Sequence, residues 1–96
     1  MDNKSIRFTK VNSKEYIVAK AEVQLFKGIF LKGWSVFKKK GEIWVWPPFE
    51  IIEDKVSGKK RFLSYLRFEN KDLYIKWVNK VKEAYIEWEK EEFKNA

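Results

Sequence analysis

Apolar and polar residues alternate with period two along the first two-thirds of the chain, then switch to a helical period. Ile6-Arg7-Phe8-Thr9-Lys10-Val11 alternates over six residues, the pattern of a half-buried strand. Asn12-Ser13-Lys14 reads as a turn. From Tyr16 to Phe26, Ile17, Ala19, Ala21, Val23 and Leu25 share one face, and Tyr16, Val18, Lys20, Glu22, Gln24 and Phe26 share the other. A helix here would scatter the apolar set around its circumference, so a strand is predicted. Lys27-Gly28 marks a hairpin, because Gly takes positive φ at little cost. The return strand runs from Ile29 to about Lys38, with Phe30, Lys32, Trp34 and Val36 alternating against Ile29, Leu31, Gly33, Ser35 and Phe37. Lys38-Lys39-Lys40-Gly41 makes a second hairpin. Glu42-Ile43-Trp44-Val45-Trp46 follows as a strand ended by Pro47-Pro48, since Pro lacks the N–H a central ladder needs. Residues 49–56 read equally as an irregular loop or a short edge strand. Ser57-Gly58 turns the chain, and residues 60–68 form a last strand.

The helical period begins at Asn70, a favoured N-cap, with Asp72 complementing the helix dipole in the first turn. Tyr74, Trp77, Val78, Val81, Tyr85 and Trp88 then form one stripe over about four turns. Strands followed by one helix predict a single α+β domain over residues 1–96, with strands over about 6–68 and a helix over about 71–92. About five strands form an antiparallel β-meander, and the C-terminal helix packs on one face of it. If Ala19, Ala21, Val23 and Leu25 face the helix, Tyr16, Lys20, Glu22 and Gln24 face away. The last strand then places Phe62, Leu66 and Phe68 under the helix and leaves Arg61, Leu63, Tyr65 and Arg67 on the open side. Trp44 and Trp46 share one face of their strand, with Ile43 and Val45 on the other.

Composition narrows the chemistry. The 96 residues are 45% hydrophobic and 36% charged, enough for a core, and include neither Cys nor His. Disulfides, Cys/His zinc sites, thiol nucleophiles and imidazole bases are therefore out. No apolar run approaches the ~20 residues of a membrane span, and residues 1–6 lack the apolar core of a signal peptide, so a cytoplasmic protein with no membrane association is expected. The net charge of +7 is unevenly spread: residues 1–61 hold 14 bases and 7 acids, whereas residues 62–96 hold 7 of each. A basic body points to a polyanion partner, DNA or RNA.

Two constellations suit such a partner. Lys38-Lys39-Lys40 puts three cations at one hairpin, and Lys59-Lys60-Arg61 puts three more after Ser57-Gly58, with Arg67 further on. Clustered cations at turns meet phosphates without reading sequence. They also keep turns solvated and edges unpaired. On the open sheet face, Trp and Tyr interleaved with Arg and Lys would let bases stack beside phosphate contacts. Equally, Trp44 and Trp46 could fill a core or a dimer interface. Glu50, Glu53 and Asp54 form a carboxylate cluster with no companion motif, so neither catalysis, a metal, a cofactor nor a small-molecule substrate is expected. Exposed strand edges predict a homodimer through strand pairing.

The run Val18-Ala19-Lys20-Ala21-Glu22-Val23-Gln24-Leu25, a short turn, then Phe30-Leu31-Lys32-Gly33-Trp34-Ser35-Val36, Gly41 and a strand ending at Pro47 resembles the stage V sporulation protein G family of bacterial septation regulators. Lys10-Val11-Asn12, Ser57-Gly58 and a helix with Tyr85 near its end extend the resemblance over about residues 6–88. It implies a small antiparallel sheet with a C-terminal helix, dimeric by strand pairing, that binds DNA and RNA as a regulator. Members follow the strand-ending Pro with Ser and a basic pair implicated in nucleic-acid contact. Pro48, Phe49 and Glu50 stand there instead, and Lys59-Lys60-Arg61 would bring the charge from the other side of the turn. The alternative is a protein-interaction module that docks a partner through its aromatic sheet face or residues 49–56.

Overall fold

A computed structural model describes residues 5–12 and 15–94, so Ser13 and Lys14 of the expected first turn lie outside the described residues. The strands are β1 (Ile6–Lys10), β2 (Ile17–Phe26), β3 (Ile29–Lys39), β4 (Glu42–Trp46), β5 (Phe49–Glu53) and β6 (Lys60–Ser64). Among the described residues one helix, α1 (Lys71–Lys94), follows them. The fold is α+β, as the periodicity predicts. The strands divide into two sheets: a four-stranded antiparallel meander in the order β1-β2-β3-β4, and a separate antiparallel hairpin β5-β6. No helix among the described residues is long and apolar enough to cross a membrane.

The helix covers one face of the meander. Ile6, Ala19, Ala21, Val23, Trp34, Val36 and Val45 from the sheet are buried against Val81, Ala84 and Tyr85. Trp34, at 1% exposure, is among the largest fully buried side chains of this core, and α1 approaches the outer strands β4 and β1 most closely. Phe8 closes one margin, its ring 5.8 Å from that of Tyr85 and 5.6 Å from that of Trp88. The Trp34 Nε1–H is buried without an acceptor among the described residues, a cost of ~1–3 kcal/mol. Burial of ~150–250 Å² of indole offsets it. Asn70 caps α1 as expected, its Oδ1 accepting from the Leu73 N–H at 2.9 Å.

Three departures from simple alternation shape the rest. In β3 the register shifts: Ala21 pairs with Trp34 but Val23 pairs with Leu31, so three residues of β3 span two of β2. This bulge falls at Lys32-Gly33, with Gly33 at φ +98°, and it turns Phe30 to the face opposite Trp34. The close approach of Pro48 also requires Gly there, since a Cβ at Gly33 would lie 3.3 Å from the Pro48 Cβ. Second, residues 49–53 form a strand, β5, which pairs with β6 from Phe49↔Ser64 to Glu53↔Lys60.

Third, β6 ends at Ser64 rather than Phe68. The Ser64 hydroxyl donates to the Leu66 carbonyl at 2.8 Å and accepts from the Leu66 N–H at 3.3 Å, a local turn that competes with the ladder. The expected layer of Phe62, Leu66 and Phe68 under the helix is therefore corrected. Leu66 and Phe68 pack on the core, whereas Phe62 is 68% exposed on the hairpin.

Candidate nucleic-acid interface

The face of the meander opposite α1 carries two halves of different chemistry. On β3 and β4, cross-strand pairing brings Phe37 beside Trp44, and the rings stack at 5.5 Å with 4° between their planes. Trp46, 42% exposed, lies 4.9 Å from Phe37. Phe49 and Phe62 of the hairpin continue the row, at 5.5 and 6.5 Å from Trp46. On β1 and β2 the same face is polar. Arg7, Thr9, Lys20, Glu22, Lys32 and Gly33 line an open hollow of about 260 Å³. The Arg7 guanidinium lies over the Phe30 ring at 4.5 Å, a contact that depends on the bulge at Gly33. Lys20 Nζ donates to the Ser35 Oγ at 2.7 Å, capping the one buried polar side chain of the sheet among the described residues.

The first basic turn is not the three-cation tip that the sequence suggests. Lys38 and Lys39 remain in β3, and only Lys40-Gly41 turn, at φ +51° and +83°. Strand alternation sends Lys38 and Lys39 to opposite faces. Lys39 Nζ lies 4.6 Å above the Tyr16 ring on the open side. Lys38 turns toward α1, where Nζ donates to both carboxylate oxygens of Glu89 at 3.0 Å. The Tyr85 hydroxyl donates to the same carboxylate at 2.7 Å. Burial would raise the Glu89 carboxyl, but the hydrogen bonds from Tyr85 and Lys38, with the Lys38 charge, outweigh it and hold Glu89 below the usual range. Burial first, then Glu89, pushes the Tyr85 phenol well above its ordinary value. Lys38 is thus a structural cation, and its place on this network argues against a phosphate contact.

The second basic cluster lies on the far hairpin. Lys59, Lys60, Arg61 and Arg67 are all exposed. Lys60 stands opposite Glu53 and Arg61 opposite Ile52. The turn between β5 and β6 is built by Asp54, whose Oδ1 accepts from the Val56 N–H at 2.9 Å. That bond, with others from Ser57, lowers the Asp54 pKa, so this carboxylate serves the turn. Glu50 accepts from the Tyr65 hydroxyl, which raises the phenol's pKa. Among the described residues, no group of three or more acidic side chains gathers to hold a metal.

Sequence reasoning named Trp44 and Trp46 but missed Phe37, Arg7 and Lys32. The Phe37–Trp44 stack was available from the turn: a two-residue Lys40-Gly41 loop fixes Lys39 opposite Glu42, and therefore Phe37 opposite Trp44. The Arg7–Phe30 contact depends on a bulge that alternation does not reveal. No family model matches the chain, and neither does a curated protein or a solved structure.

Proposed function

We propose that this chain is a small DNA- or RNA-binding regulatory protein of the cytoplasm. It acts as a homodimer, with neither catalysis nor a cofactor, in the manner its resemblance to bacterial septation and sporulation regulators implies. The observation that carries this reading is the set of exposed cations Lys39, Lys40, Lys59, Lys60, Arg61 and Arg67, none of which is engaged by an ion pair between described residues. Cations outside ion-pair contact remain available to phosphates and release counterions on binding.

Fluorescence anisotropy with labelled DNA and RNA at several salt concentrations tests it. Log K should fall linearly with log salt. Replacing Lys59, Lys60 and Arg61 together with Gln should weaken binding and flatten that slope by roughly 0.9 for each duplex phosphate the variant no longer neutralises. An unchanged slope removes those residues from the site.

A second reading, a protein-interaction module, draws on a cleft of about 420 Å³ between the hairpin and the start of α1. Trp46, Pro47, Phe49, Phe62, Leu66 and Tyr74 line it. Absence of nucleic-acid binding even at low salt would favour this reading.

A further inference from the structure

We infer that the open face of the meander is a single-strand binding platform: unpaired bases stack on Trp46, Trp44 and Phe37 while the backbone phosphates run over Arg7, Lys20 and Lys32. The inference rests on the nucleic-acid reading above and names a different surface from the basic turns. Its ground is the juxtaposition of the two halves of one face. Lys20 pairs across the ladder with Ser35, and Ser35 with Trp46, so cation and ring stand two strands apart, ~10 Å at ~4.8 Å per strand. The polar half holds three cations and one carboxylate, Glu22, so its charge suits an anion. In the aromatic half Trp46 is exposed and presents its ring to solvent, while Phe37 and Trp44 are half-buried and stack on each other beside it.

A duplex hides its base faces inside the helix, so only an unpaired strand can use the rings. Stacking tolerates any base because every base has a π-face, which predicts weak sequence preference. DNA and RNA single strands share this chemistry, and the test separates them.

The 96-residue chain is titrated with oligothymidylate, oligouridylate and a mixed-sequence DNA duplex of equal length, following intrinsic Trp emission and anisotropy together. Both single strands should quench Trp emission on binding, and the duplex should bind more weakly without quenching. Trp46→Leu should lower single-strand affinity roughly 5- to 150-fold, the equivalent of one stacking contact. It should leave duplex affinity unchanged. Trp46→Phe, which keeps a ring, should restore most of the affinity. Arg7→Gln with Lys32→Gln should flatten the single-strand salt slope by roughly 1.4. If single strand and duplex bind alike with unchanged Trp emission, the platform is overturned while the nucleic-acid reading stands. If no probe binds at low salt, both fall. The quenching measurement uses the unmodified chain, so it decides the matter even where a Trp46 variant folds poorly.

Discussion

At the residue scale, Gly33 does more than its lack of a side chain suggests. Its φ of +98° is a conformation L side chains rarely adopt, and Pro48 fills the space a Cβ would occupy. The bulge it permits brings Phe30 under Arg7 and opens the hollow beside Lys32. Gly33→Ala should therefore destabilise the fold by about 1–3 kcal/mol, the usual cost of a residue held in a sparsely populated region. A urea titration checks it: the midpoint should fall with an unchanged slope, and an unshifted midpoint would show that neither strain nor the Pro48 contact matters. Gly28 and Gly41 also take positive φ, but a Cβ at either meets nothing within 4 Å, so only the backbone penalty applies there.

At the element scale, the last turns of α1 are fastened to β3 by Lys38, Glu89 and Tyr85. The Glu89 carboxyl has a lowered pKa in the fold, so its contribution is fully present above the unfolded value, ~4.3, and is lost as pH falls through the lower folded value. Glu89→Gln should cost about 1 kcal/mol at neutral pH, the range of a partly exposed pair. That difference from the unmodified chain should vanish in strong acid, as pH-dependent denaturation would register. Lys38→Gln should cost a similar amount while leaving nucleic-acid affinity and its salt slope unchanged, which separates it from Lys39 and Lys40. Most elements were legible because period two and period 3.6 are local properties. Asn70 announced its helix, and Lys38-Lys39-Lys40-Gly41 a hairpin whose turn proved to be only its last two residues, while residues 49–53 read as loop or strand alike. The site was half legible. Trp44 and Trp46 fall on one face by alternation alone, but the three-lysine tip dissolved because the same alternation splits Lys38 from Lys39. The extent of β6 was hidden for a different reason. Ser64 satisfies the Leu66 backbone with its own hydroxyl, and nothing in a hydropathy pattern distinguishes that from one more ladder residue.

At the scale of the whole molecule, the single chain has more surface than its size warrants. Its accessible area is 7844 Å², about a third above the ~5,900 Å² expected for a monomer of its mass. Its radius of gyration, 14.8 Å, likewise exceeds the ~12.5 Å of a compact 96-residue domain. The hairpin β5-β6 accounts for part of this. It is a two-stranded unit, marginal by itself, and it exposes Ile51, Phe62 and Leu63. Both of its edges lack a neighbour within the described fold. Pairing with a second copy along one edge would supply the missing strand, which is how the proposed homodimer would close. Sedimentation equilibrium should then give twice the 11.7 kDa chain mass at micromolar concentration. Ile51→Lys adds a charge where a partner strand must lie flat, and it should shift the species toward the single-chain mass, with a lower and concentration-independent Tm. A single-chain mass for the unmodified protein would instead leave the hairpin free, and its apolar side chains would then belong to the interaction reading rather than to a dimer.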